Sequence, residues 1–232
     1  MPMTPQIDWR TVFFVRSSQS KHLLYTLCFV LCVLSGDTLS ARLVNLTDAR
    51  KKVELYYECG KYDKDMDKIV AKAMKHFKKV LVSRNSVVIF DIDDTLLSNY
   101  CQEKAVLFRY DSKLYHEFIL QAKMPAIPQA KRLYDYLVCR GFRIMFLSWR
   151  KYNEYDATIK NLKEQGFRTF DRLIVRSPEE TTITAQEFKT NRRRLLKKAG
   201  YHIVGMIGDQ CSDLVGHADY MVKFPNYRYR ID

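Results

Sequence analysis

Three aspartates, Asp91, Asp93 and Asp94, stand with Thr95 directly behind the apolar run Val87–Phe90. A buried strand that empties into three carboxylates gains no stability from them, because like charges so close repel; a divalent cation among them makes the arrangement tolerable. A second apolar run, residues 203–207, ends in Gly208 and Asp209, with Asp213 one helical turn further on, and the glycine allows close backbone approach. Two strands that deliver carboxylates to one edge form an oxygen-rich pocket of the kind magnesium prefers. A third run, Ile144–Leu147, ends in Ser148, a hydroxyl able to donate to a phosphate oxygen, followed by Trp149 and Arg150. Lys189 stands ahead of Arg192, Arg193 and Arg194 and can reach inward, whereas the arginines suit a solvated face or pairing with nearby acids. Each residue also has a plainer reading: Asp94 or Thr95 as a helix N-cap, Asp213 as an acid in the first turn of a helix, Ser148 as a turn residue.

The elements that must position these residues alternate. Runs 87–90, 144–147, 173–175, 203–207 and 220–224 suit buried strands, and 128–140, 152–165 and 185–199 suit helices, with Gly166 and Gly200 placed to end the last two. Strand and helix in this order predict an α/β fold, a doubly wound parallel sheet covered on both faces, which binds ligands at the carboxyl ends of its strands. From Tyr62 to Leu81 apolar residues recur every three or four positions between Lys64, Lys68, Lys72, Lys75 and Lys78, the pattern of an amphipathic helix with a solvated lysine face. The stretch 99–127 breaks the rhythm: it is rich in aromatics, holds one helical pattern at about 111–123, and reads as a small helical cap insert over the strand ends.

The 232 residues suffice for one domain with a sizeable core, and 47% apolar residues with 8 Gly and 6 Pro exclude a disordered or low-complexity chain. The net charge of +13 invites a nucleic-acid reading. Its location argues otherwise: residues 91–140, which carry the first motif, hold 7 basic and 7 acidic groups, and no nucleic-acid module or aromatic-basic platform is present. Residues 23–34 are an uncharged apolar run of 12 behind Arg10, Arg16 and Lys21, with small residues from Ser35 to Ala41. That is too short for a membrane span and suits a signal peptide over residues 1–41 with a long basic leader, a buried N-terminal helix being the alternative. Cleavage there would leave residues 42–232 in a secretory compartment, extracellular or endomembrane, with no stable membrane span and with a glycosylation sequon at Asn45. Cys59, Cys101, Cys139 and Cys211 would remain, open to three pairings or to free thiols.

A strand-end D-x-D-x-T, a strand-end Ser, a Lys and a strand-end G-D-x-x-x-D occur in the order of the haloacid dehalogenase-like superfamily of phosphotransferases, which this chain resembles. Residues 90–99, 124–128, 176–179, 188–190, 200–205 and 208–210 are similar to secreted acid phosphatases related to plant vegetative storage proteins. The resemblance implies a magnesium-dependent phosphomonoester hydrolase, with Asp91 as nucleophile, passing through an aspartyl-phosphate, and Asp93 as general acid and then base. It implies Mg2+ held by Asp91, the Asp93 carbonyl and Asp209 with support from Asp213, and phosphoryl oxygens bound by Thr95, Ser148 and Lys189. Cys211 stands where relatives often carry tryptophan. Some storage members have lost the nucleophilic aspartate, so the alternative is a non-catalytic storage or binding protein on the same fold.

Overall fold

The computed structural model describes residues 44–216 and 218–231. The apolar run 23–34, the proposed cleavage region up to Ala41, Cys28 and Cys32 lie outside the described residues. Five strands, β1 (Ser86–Phe90), β2 (Arg143–Lys151), β3 (Arg172–Arg176), β4 (His202–Gly208) and β5 (Met221–Lys223), form one sheet in the order β3-β2-β1-β4-β5. Every neighbouring pair is parallel. The chain runs from β1 outward to β3 and then crosses to β4 on the other side of β1, so the reversal of direction falls beside the end of β1, where such sheets bind ligands.

All five residues of β1 are buried because both faces are covered. Val88 and Phe90 pack into the larger core with α2 (Lys61–Phe77), α5 (Pro128–Cys139) and α6 (Tyr155–Glu164), whereas Val87 and Ile89 meet Phe188 and Leu196 of α7 (Ala185–Lys198). Met66, Val70, Ala73 and Phe77 form the buried stripe of α2, and the five lysines noted between them are exposed. Phe77 presses so close to β4 that a Cβ on Gly205 would lie 2.6 Å from its ring, which restricts that position to glycine. Fully buried phenylalanines such as Phe77, Phe90 and Phe146 each contribute about 1.5–3 kcal/mol of transfer free energy.

Three features differ from the sequence expectation. Helix α1 (Leu46–Glu58) precedes α2 and buries no residue, so it leaves no apolar stripe to detect. The stretch 99–127, expected to hold one helix, holds two, α3 (Tyr100–Ala105) and α4 (Ser112–Leu120), and the six residues of α3 are too few to show a period. Strand β2 continues to Lys151, so Ser148 lies within the strand rather than at its end. Cys59, Cys101, Cys139 and Cys211 are free and exposed.

Candidate active site

At the carboxyl edge of the sheet the carboxylates of Asp91, Asp209 and Asp213 converge, one oxygen of each lying within 4.8 Å of the others, and all three residues are buried. Lys189, 4% exposed on α7, donates to Asp91 Oδ1 at 2.5 Å and also to Asp213 Oδ1. The other Asp213 oxygen accepts the Gln210 amide at 2.8 Å, closing a 3-10 turn over Cys211–Asp213. Asp213 thus closes a 3-10 turn with one oxygen and holds Lys189 with the other. Gly208 is required here, since a Cβ would lie 2.3 Å from the Asp213 side chain. Asp209 accepts from Thr95 Oγ1 at 3.1 Å, Asn226 Nδ2 at 2.8 Å and Gln210 Nε2 at 2.5 Å.

One ammonium does not balance three buried carboxylates. Burial, and then Asp213, push the Asp91 carboxyl well above the ordinary range, with Lys189 opposing; burial, and then Asp213 and Asp94, push Asp209 up to about 7. Burial alone would lower the Lys189 ammonium, but Asp213 and Asp91 keep it charged. An all-oxygen, acid-rich cluster of this kind fits a hard divalent cation, whose charge would favour ionisation of Asp91 and Asp209. In a chelator, Asp209 binds a proton more tightly folded than unfolded between its ordinary value of 3.8 and about 7, so its contribution to stability falls as pH rises through that window. The gain in melting temperature on adding a divalent cation should accordingly be larger at pH 8 than at pH 5 in thermal melts; equal gains at both would contradict a cation among these acids.

Asp93 has a cation of its own. Burial would raise its carboxyl, but Arg150 bonds it at both oxygens, 2.8 and 3.0 Å, and together with Tyr115 and Asn99 keeps it below the ordinary carboxylate range. Asp94 caps no helix. It sits at φ 57° in the turn that follows β1 and accepts the Asn99 amide at 2.9 Å and the Tyr229 hydroxyl at 2.7 Å. Its buried carboxylate also pairs with Arg228, whose guanidinium reaches Glu103 of α3 at 2.9 Å and stacks over Tyr57 at 4.9 Å. The sequence carries no local sign of this contribution from the C-terminal tail.

Thr95 and Ser148 are fully buried. Thr95 is engaged with Asp209. Ser148 Oγ accepts the Arg150 amide at 3.2 Å, and its own proton meets no acceptor among the described residues. The arginine run divides. Arg192 pairs with Glu180 at 2.6 Å and Arg194 bonds Asn191, but Arg193 is 4% exposed and donates to the carbonyls of Ser212 and Asp213. It departs from the solvated face expected for it because it lies four residues after Lys189, on the same side of α7.

A cavity of about 710 Å3 opens over this edge, lined by Asp91, Asp93, Lys189 and Asp209 at its floor and by Phe108 and Tyr115 of the insert. The profile of the HAD superfamily, subfamily IIIB (Acid phosphatase) matches residues 38–232. Among curated proteins, the Stem 28 kDa glycoprotein of Glycine max is 34% identical over 76% of this chain and 72% of its own length. Acid phosphatase 1 of Solanum lycopersicum is 32% identical over 73% of this chain and 69% of its own. Among solved structures, the class C acid phosphatase from Bacillus anthracis superimposes with a TM-score of 0.68 at 23% identity, covering 81% of this chain and 87% of that one. That likeness bears on the fold alone, and it agrees with the parallel sheet and its flanking helices. The profile match over nearly all of the sheet, its helices and the acidic edge places the chain in the acid phosphatase subfamily IIIB of the HAD superfamily.

Proposed function

We propose that the chain hydrolyses phosphomonoesters through an aspartyl-phosphate on Asp91, with Mg2+ held by Asp91, the Asp93 carbonyl and Asp209 and supported by Asp213. The observation that carries this reading is the convergence of Asp91, Asp209, Asp213 and Lys189 at the switch point of the sheet. A bound divalent cation would supply charge neutralisation, so that one anion can approach another.

Asp91 attacks phosphorus as the ester P–O bond breaks, and Asp93 gives a proton to the departing alkoxide. Water then attacks the phosphorus of the aspartyl-phosphate, Asp93 takes its proton, and phosphate and the Asp91 carboxylate are released. Lys189 orients the Asp91 carboxylate through its 2.5 Å bond to Oδ1 and places an ammonium beside the transferred oxygens. Ser148 is a buried hydroxyl whose proton is available for a phosphoryl oxygen, and Thr95 serves the site by holding Asp209. Arg150 clamps Asp93 at both oxygens and fixes its direction, and it also keeps Asp93 ionised, which favours proton donation only in acid.

The full chain, assayed with magnesium and with chelator, should release phosphate from aryl and alkyl monophosphates only with the cation; release that ignores chelator would sink the metal role. Replacing Asp93 with Asn should cost about 10²–10⁴ in kcat for an alkyl phosphate. In kcat/KM, which ends at formation of the aspartyl-phosphate, the cost should be much smaller for nitrophenyl phosphate, whose leaving group needs no proton. Equal costs in kcat/KM would remove Asp93 as the acid.

We also assign the chain to a secretory route as a glycoprotein. The reading rests on the N-terminal apolar run, on the glycoprotein relatives, and on Asn45, which is exposed and caps α1 through Oδ1, leaving Nδ2 for a glycan. Among the described residues no helix is long and apolar enough to cross a membrane.

A further inference from the structure

Some cations lining the cavity are paired with its acids and others are not. Asp111, on the cavity wall, accepts the Lys113 and Leu114 amides at 3.0 and 3.1 Å, and Glu154 pairs with His116 at 2.6 Å and accepts the Lys151 amide at 2.7 Å. Asp93 and Glu103 face Arg150 and Arg228. Three cations on the same wall, Arg109, Lys151 and Arg176, have no carboxylate within ion-pair distance among the described residues.

Two of them are neighbours. Lys151 and Arg176 stand opposite each other in the register of β2 and β3, and like charges so placed cost stability unless an anion lies against both. Arg176 is half-buried, with its guanidinium 4.3 Å from the ring centroid of Trp149. Trp149 is braced edge-on at 5.5 Å by Phe188, the residue before Lys189. A guanidinium over a ring keeps its N–H groups available for a carboxylate or a phosphate, and those of Arg176 make no hydrogen bond among the described residues. The cation is thus fixed by packing on the residue next to Ser148, within the same cavity as Asp91. Aromatic rings from the insert, Phe108, Tyr115 and Phe118, line the space above.

We propose that the preferred substrate is an aromatic phosphomonoester carrying a second anionic group, carboxylate or phosphate, which Arg176 and Lys151 bind while Arg109 of the insert approaches from the other side. This inference rests on the phosphatase reading, with the scissile phosphoryl group at Asp91. Both the ring and the second charge are held away from the reacting phosphorus, so the expected effect lies in KM and Kd rather than in kcat.

Two matched pairs test it on the full chain: para-carboxyphenyl against para-carbamoylphenyl phosphate, and adenosine 2′,5′-bisphosphate against adenosine 5′-monophosphate. The first pair reads a carboxylate and the second a phosphate. The charged member of at least one pair should be favoured in kcat/KM and in calorimetric Kd by about fivefold or more at low salt. The preference should shrink at high salt and fall at least threefold in Arg176→Gln, with Arg109→Gln, an exposed position, as the variant that does not disturb the sheet. Absence of a preference in both pairs, or a preference untouched by both variants, overturns the proposal. Loss of turnover with the binding preference intact would instead remove the phosphatase reading and leave the anion subsite standing.

Discussion

Replacing Asp91 with Asn should reduce phosphate release from nitrophenyl phosphate by about 10⁴-fold or more, the scale on which enzymes lose rate when a covalent nucleophile is removed. The amide has the shape of the carboxylate but cannot form the acyl phosphate. The same substitution should stabilise the cation-free protein. Without a cation the ionisation of Asp91 is costly, opposed first by burial and then by Asp213, and its neutral isostere leaves Lys189 to Asp213 alone. The melting temperature in chelator should therefore rise, by about 2–4 °C for each kcal/mol of repulsion relieved. An inactive but more stable variant is the signature of a residue kept for chemistry at the expense of stability. Hydrolysis that survives the substitution would end the aspartyl-phosphate mechanism, and a lower melting temperature would mean that Asp91 serves mainly as a structural partner of Lys189.

The acidic edge is legible in the sequence because a parallel sheet turns a local pattern into a location. An apolar run that ends in acid has its acid at the carboxyl end of a strand, and every strand of such a sheet ends on the same side, so Val87–Asp91 and Ile203–Asp209 must meet. Lys189 is legible for a related reason, as the residue preceding an otherwise outward run on a helix that packs against those strands. Arg193 is misjudged in that run because charge alone does not show which face of α7 turns inward; the carbonyls of the Cys211–Asp213 turn, which it satisfies, come from a segment with no pattern linking it to α7. The short helix α3 and the solvated helix α1 lack a periodic stripe, so nothing in their composition separates them from loop. The charge total of +13 misleads in the opposite direction. Most of it lies on the exposed lysines of α2 and along α7, while the cations that matter to the cavity, Arg176 and Lys151, become visible only when strand register sets them side by side. The hardest contact to foresee is the one between Asp94 and a tail arginine 134 positions away, because only folding brings them together.

That contact sets the second large expectation. Arg228 is 2% exposed at its side chain, and its guanidinium joins Asp94 in the turn after β1 to Glu103 on α3, packed among the rings of Tyr57, Tyr100 and Tyr229. Replacing it with Met keeps most of the packing volume but leaves the Asp94 carboxylate buried without a counter-ion. Loss of one partner from a buried pair costs about 3–5 kcal/mol, so the melting temperature should fall by about 10 °C. Arg228→Lys should recover part of the stability but not the full kcat, since one ammonium cannot reach both Asp94 and Glu103 as the two guanidinium nitrogens do. Glu103 supplies a check that separates charge from packing. Burial, and then Asp94, push its carboxyl from an ordinary 4.5 up to about 8, with Arg228 opposing. A carboxyl raised on folding contributes its stability in full at low pH and loses it as pH rises through the folded value, so this part of the stability should decline between about pH 4.5 and pH 8. Glu103→Gln should flatten that decline in melts of the otherwise native chain. Arg228→Met should steepen it, because the cation that opposes the rise is gone and Asp94 then acts on Glu103 unscreened. If Arg228→Met melts like the native protein and keeps its kcat, the tail is a passive covering; if it fails in both and Glu103→Gln flattens the pH dependence, the turn that presents Asp93 is held in place from the far end of the chain.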